Sequence, residues 1–403
     1  MPANYLSTAS NDSPQSCPVV AITIGDVAGI GPEVVVRALN SILHPPSSTE
    51  ISPSHCMFLP LVIGHPRVME EAAQLAGKSL TFVPLDAIPG EGHLQSLLQK
   101  LQSSGQVACW NPAGDAVLSA PGCQVSSTAG EAAYQYLVEA IRLTQSGVTD
   151  AIVTAPLNKE SLHAAGHQEP GHTEILAAEC RIEEFAMMLH LSESRIRNIR
   201  GVLSGMQDET EFDGNGLSIA HVTLHTSVKS VPQLLSQKAV LEKIQLMDQF
   251  LTRIGCSRKA IAVCALNPHG GENGLFGDEE SRMIRPAVEQ AAAGGTNVTG
   301  PLPVDTLIRR AVLGEFDGVV AMYHDQGHIP VKLIGFDSAV NITLGLPIIR
   351  TSPTHGTAFD RAWNPSTPAD HSGMLEAIRM AVLLCDPRDN RSNGGQTGEG
   401  RPL

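Results

Sequence analysis

Within the twelve residues "AMYHDQGHIPVK" (321–332), an apolar run gives way to His324, Asp325, His328 and Lys332. These side chains can ligate a metal, carry a proton or hold an anion. Two other apolar runs lead to histidine: "LSIAHVTLH" ends at His225, and "AIAVCALNP" runs on to His269. In open α/β sheets ligands bind beyond the carboxyl ends of strands, and three imidazoles there suit a divalent metal with one position left open for substrate. Imidazole suits several transition metals, so the ion itself stays open. Fifteen histidines in 403 residues also place some at strand ends by chance, in surface or hydrogen-bonded roles. His221, four residues before His225, is a competitor on the same strand face by period two.

Other small polar groups collect in glycine-rich loops. "GDVAGIGPE" (25–33) is neither a dinucleotide fingerprint nor a Walker loop. It opens a helix with Pro32 in the first turn, and it reads either as a phosphate or carboxylate cradle or as a tight turn alone. "NPHGGENGLFGDEE" (267–280) reads as a mobile loop beside His269, and "PTHGTAFD" (353–360) carries His355 and Asp360. "NITLGLPIIRTS" puts Asn341 and Arg350 near the ends of one extended run.

The elements that must carry these groups alternate. Short apolar runs at 19–24, 58–64, 79–85, 150–156, 217–225, 260–268 and 317–324 read as strands, with amphipathic stretches such as 131–147 between them. Alternation of this kind predicts an α/β fold with a mostly parallel sheet. A chain of 403 residues predicts two domains. A net charge of −14 excludes an ordinary nucleic-acid binder, and no apolar run is long enough for a membrane span. Residues 1–17 and 386–403 read as a disordered lead-in and tail, and 44–56 and 192–216 as loops or insertions. Eight cysteines without a CxxC spacing read as core thiols of a reduced, cytoplasmic protein.

The motifs "TIGDVAGIGPEVV", "APLNKESLHAAG", "GHTEILA", "ALNPHGGENGLFGDEE", "GPLPVDTL", "AMYHDQGHIPVK" and "FDSAVNITLGLPIIRTSPTHGTAFD" occur in this order. Together they resemble the 4-hydroxythreonine-4-phosphate dehydrogenase (PdxA-type) family across about residues 18–385. "GIGPE" and "HGTA" are also similar to pieces of the isocitrate and isopropylmalate dehydrogenase group. The resemblance implies two α/β/α domains, 18–165 with 330–385 and 166–329. It also implies a homodimer whose active site lies between the domains and is completed by the partner subunit.

The same resemblance implies metal ligation by His225, His269 and His324, with Zn, Mg, Co or Mn as candidate ions. It implies substrate contacts from His172, Thr173, Lys332, Asn341 and Arg350. Asp305 and Asp325 fall in motifs that line the site, and His355, Gly356, Thr357 and Ala358 are the candidate contacts for NAD or NADP. His328 has no assigned role. Val27 stands where the family's glycine loop usually has proline. The interval from His172 to His225 is longer than usual, which keeps His221 as an alternative to His225.

The implied reaction oxidises the secondary alcohol of a phosphorylated hydroxy acid, and the β-keto acid then loses carbon dioxide. Lys332 beside a dication would have its ammonium form disfavoured, which suits a base, and an Asp acting through water is the rival. Related branches of the family imply D-threonate or D-erythronate 4-phosphate, or a cyclic dihydrodiol dicarboxylate, as substrate. A metal-dependent sugar-phosphate binding protein is the non-enzyme alternative.

Overall fold

A computed structural model describes residues 17–45, 58–169, 171–204 and 216–385. The expected lead-in up to residue 16, the tail from 386, and segments 46–57 and 205–215 lie outside the described residues. Among the described residues twelve strands form one sheet: β1 (Val19–Thr23), β2 (Leu59–Ile63), β3 (Thr81–Pro84), β4 (Gln106–Trp110), β5 (Ala151–Thr154), β6 (Ala186–Leu191), β7 (Leu217–His221), β8 (Ile261–Cys264), β9 (Val298–Leu302), β10 (Gly318–Ala321), β11 (Val340–Leu344) and β12 (Ile349–Pro353). Their order is β3-β4-β2-β1-β5-β12-β11-β6-β7-β10-β8-β9.

Two parallel blocks meet in the middle of this sheet. One runs from β3 to β12 and the other from β7 to β9. β11 and β6 join them through three antiparallel pairings. The fold is therefore mixed α/β with a mostly parallel sheet. Most strands read as unbroken buried runs because helices cover both faces. Ser127–Gln145 packs on β1 and β5, and Ser372–Leu384 packs on β12, β11 and β5. In the other block Gln237–Arg253 covers one face of β7, β8 and β10, while His324–Gly335 lies on the other beside Val304–Val312.

Several expected boundaries move. The run ending in His324 stops as a strand at Ala321, and His324 opens a helix. The expected domain boundary at 329/330 falls inside that helix. The extended run around Asn341 is two strands joined by a turn at Gly345. Residues 193–204, expected as insertion loop, form a helix. Loop 267–280 is pinned rather than open: the buried Glu280 carboxylate accepts from the backbone N–H groups of Leu266 (2.9 Å) and Asn267 (2.7 Å).

One buried titratable group makes stability depend on pH. His190 of β6 points away from the site, with Nδ1 3.0 Å from Ser218 Oγ and Phe250 edge-on. Burial lowers its pKa from the ordinary 6.5 to about 4. The folded form thus resists a proton that the unfolded chain accepts, so stability is complete above about 6.5 and declines as pH falls towards 4. Between about pH 6.5 and pH 5 this residue is expected to cost ~2 kcal/mol. Urea unfolding at two pH values checks it: His190→Asn should lose less on acidification than the parent.

Candidate active site

Strand periodicity builds the floor of the site. Asn341 sits directly between Leu189 of β6 and Ser352 of β12. Alternate residues share a face, so Met187, Leu189, Asn341, Arg350 and Ser352 project together. All five line a cleft of about 290 Å³. The rest of the lining includes Lys159 and Gly171–Glu174, then His225, His324, His328 and Lys332, and His355. The site therefore covers the sheet face where strand direction reverses, rather than lying only beyond strand ends.

Arg350 dominates the floor electrostatically. Its side chain is 1% exposed. Nη1 donates to Thr343 Oγ1 at 3.2 Å and Nη2 to Thr154 Oγ1 at 2.8 Å, both neutral hydroxyls, and Nε is buried with no partner. Burial lowers its pKa to about 10, against the Glu174 carboxylate, and leaves the guanidinium charged near neutrality. Asn341 Oδ1 and His355 Nε2 are likewise buried without partners. A buried cation and unsatisfied polar atoms are costly unless a ligand engages them. His172 opens the helix His172–Cys180. Burial and the neighbouring Arg350 charge hold its pKa well below the usual imidazole value, against a hydrogen bond that its ring donates to the Ala155 backbone carbonyl. Thr173 and the helix N-terminus thus offer donors to an anion, while neutral His172, its one N–H turned to the Ala155 carbonyl, presents an acceptor nitrogen.

The metal-ligand expectation divides. β7 and β10 are adjacent and parallel, so their exits lie side by side, and the rings of His225 and His324 stand 6.1 Å apart. Burial lowers the His225 pKa, and so does the Lys159 ammonium, so the neutral ligand form is favoured. His324 Nδ1 lies 2.7 Å from Asp325 Oδ1, an arrangement that leaves Nε2 free as a ligand atom. These two residues fit a metal. His269 is absent from the cleft. Its backbone is left-handed (φ 53°), its side chain is 65% exposed, and Nδ1 meets Glu272 Oε1 at 2.7 Å. Among the described residues no three metal-ligating side chains of one chain converge.

The remaining expectations also separate. Asp325 is exposed and turned to His324, beside an adjoining cavity of about 460 Å³ that shares His225 and His324. Asp305 is exposed, and its Oδ1 accepts from Thr306 N, away from the cleft. Of the 355–358 loop, only His355 lines the cleft. Thr357 is buried against the glycine loop: its carbonyl accepts from Ile30 N at 3.0 Å, and a methyl on Gly29 would sit 2.8 Å from that oxygen. The two small-residue loops therefore form one unit. His221 does not face the cleft. The strand ends there and the chain turns before His225, so period two no longer relates them. Lys159 and Glu174 line the cleft without having been singled out, and His328 lines it although no motif assigns it a role. Lys159 and Glu174 lay inside quoted motifs, and His328 lies one helical turn after His324.

The chain matches the family described as "PdxA: Pyridoxal phosphate biosynthetic protein PdxA" over residues 57–381. It is 42% identical over 372 residues to a D-threonate 4-phosphate dehydrogenase of Cupriavidus necator, covering 92% of this chain and 98% of that one. It is 41% identical over 368 residues to a 4-hydroxythreonine-4-phosphate dehydrogenase of Beijerinckia indica, covering 91% and 95%. A crystal structure of a 4-hydroxythreonine-4-phosphate dehydrogenase from Burkholderia phymatum superposes with a TM-score of 0.70 at 40% identity, covering 92% and 99%. With matches of this extent, the chain belongs to the PdxA family.

Proposed function

We propose that this protein is an NAD(P)-linked, metal-dependent dehydrogenase that oxidises 4-hydroxythreonine 4-phosphate at its secondary alcohol, after which the β-keto acid decarboxylates. The observation that carries the reading is Arg350: a buried, charged guanidinium with an unpartnered Nε on the floor of a small cleft. Such a group suits a phosphate or carboxylate, which can restore what burial removes. Asn341, His172 and Thr173 supply further polar contacts. Lys332 Nζ, in the lining of the cleft, is the group assigned to exchange the alcohol proton. The metal and the nicotinamide, when bound, supply polarisation of the oxygen and acceptance of hydride. His225 and His324 would hold the metal, and the unit made by loops 25–31 and 355–358 would contact the nucleotide.

The third metal ligand is assigned to the partner subunit's His269, since this chain's own His269 faces outward. A second copy also suits an apolar stripe on the outer face of helix His324–Gly335, where Ile329, Leu333 and Phe336 are 61%, 84% and 57% exposed. Val202, 83% exposed, lies on the helix packed beside it. Stripes of this kind mark association surfaces.

D-threonate 4-phosphate is the second reading, favoured by the 42% identical relative. Reduction of NAD and NADP, measured with each substrate and added divalent metal, tests both. Turnover of the aminated substrate with release of carbon dioxide is expected. No reduction with either compound would leave a binding protein instead.

A further inference from the structure

We propose that His328 is a substrate-contacting acceptor of fixed tautomer, whose Nε2 lone pair faces the cleft and takes a hydrogen bond from a hydroxyl or ammonium group of the substrate, with His221 as the positioning residue behind it. The tautomer follows from a chain of contacts. His221 Nδ1 lies 3.2 Å from the Met187 carbonyl oxygen. A carbonyl only accepts, so this nitrogen carries the hydrogen. A neutral imidazole has one such hydrogen, and although the His324 carbonyl also bears on this ring, only the Met187 contact has hydrogen-bond geometry among the described residues, which leaves His221 Nε2 bare. That bare nitrogen lies 3.2 Å from His328 Nδ1, so His328 Nδ1 must donate. Its second neighbour, the His324 carbonyl at 3.3 Å, also only accepts. Both contacts therefore demand Nδ1–H on His328, and Nε2 is left as a lone pair on the opposite edge of a ring that lines the cleft. Both rings are buried, which favours their neutral forms.

Two features hold this arrangement. The His328 ring stacks on His324 with centroids 3.7 Å apart and planes within 8°. Gly327 leaves room for His221 to approach the helix, because a methyl there would fall 2.3 Å from His221 Nε2 and 2.8 Å from Ile219 Cγ2. The floor offers the Arg350 donors and one unpartnered acceptor, Asn341 Oδ1. An obligate acceptor at His328 adds to that second polarity, as a ligand bearing both an anion and a hydroxyl or amine requires.

The nature of the ligand rests on the reading above, whereas the tautomer does not. Histidine-selective 15N spectra of the intact protein, assigned with His328→Gln, should give His328 a pyridine-type Nε2 and a pyrrole-type Nδ1. Gly327→Ala should abolish that preference by displacing His221. In steady-state assays His328→Leu should raise KM about tenfold or more, with kcat less affected, as loss of one hydrogen bond to substrate predicts. His328→Gln, whose Oε1 falls near the lost Nε2, should recover most of this, and His328→Asn should not. A protonated Nε2 in the parent, or a KM unmoved in His328→Leu, overturns the proposal. A pyridine-type Nε2 in a parent inactive on every phosphorylated substrate overturns the functional reading alone.

Discussion

Arg350→Met should raise KM for the phosphorylated substrate by about two to three orders of magnitude while leaving the melting temperature unchanged or higher. The two effects have one cause. Burying a guanidinium among neutral partners costs several kcal/mol, and an apolar side chain of similar length avoids that cost. Here the charge hydrogen-bonds only the Thr343 and Thr154 hydroxyls among the described residues, with the Glu174 carboxylate acting on it beyond ion-pair distance. A stability rationale for keeping it is therefore weak, and an anion that engages it supplies the compensating interaction. Truncating one partner of a desolvated charge pair typically costs ~2–5 kcal/mol of binding, which sets the expected loss. Arg350→Lys should rescue little, since one ammonium cannot reproduce a planar fork. Substrate titration and thermal unfolding of the same preparations check both halves. A KM close to the parent's would remove Arg350 as the anion site.

The proposed histidine ligands yield the second large effect, with a diagnostic in mixed dimers. His225→Ala and His324→Ala should each lose bound metal, read by elemental analysis, and turnover should fall by about a thousandfold or more, as expected when a metal that polarises the reacting oxygen is lost. His269→Ala should do the same, although this side chain is remote from the cleft of its own chain. If the partner subunit's His269 completes each site, mixing the His269→Ala and His324→Ala proteins creates hybrids with one intact site of two. Random reassortment of equal amounts then restores about a quarter of parental activity. A mixture that stays inactive while hybrids form would refute the shared site.

What the sequence made legible follows from period and punctuation. β1, β2, β5, β7, β8 and β10 are buried runs bounded by loop residues, and hydrophobic continuity marked them. β6 escaped because "AMMLHL" is methionine-rich with a histidine inside it. β9, "VTGPL", escaped because Gly and Pro argue against a strand, and it survives at a sheet edge, where a missing donor is tolerated. The site divides in the same way. Asn341 and Arg350 share a face through strand pairing, and His225 and His324 meet through adjacent strand exits. His269 sits after a third neighbouring strand, yet a left-handed run and the Glu280 clamp turn it away. No spacing rule carries that information, because it depends on a carboxylate eleven residues later.

The strands β12 and β11, residues 340–353, lie between β5 and β6 at the centre of the sheet and come last in chain order among the described strands. This has a kinetic consequence. During synthesis, β5 and β6 emerge long before their central partners, and each block presents an open edge until residue 353 is available. Non-local pairing of this kind is slow and exposes unpaired strands to wrong partners. Asn341 and Arg350 lie on those central strands, so the floor of the cleft forms only when the sheet closes. Phosphate-bearing ligand would then act as a selective trap for completed chains, drawing refolding towards the closed sheet by mass action.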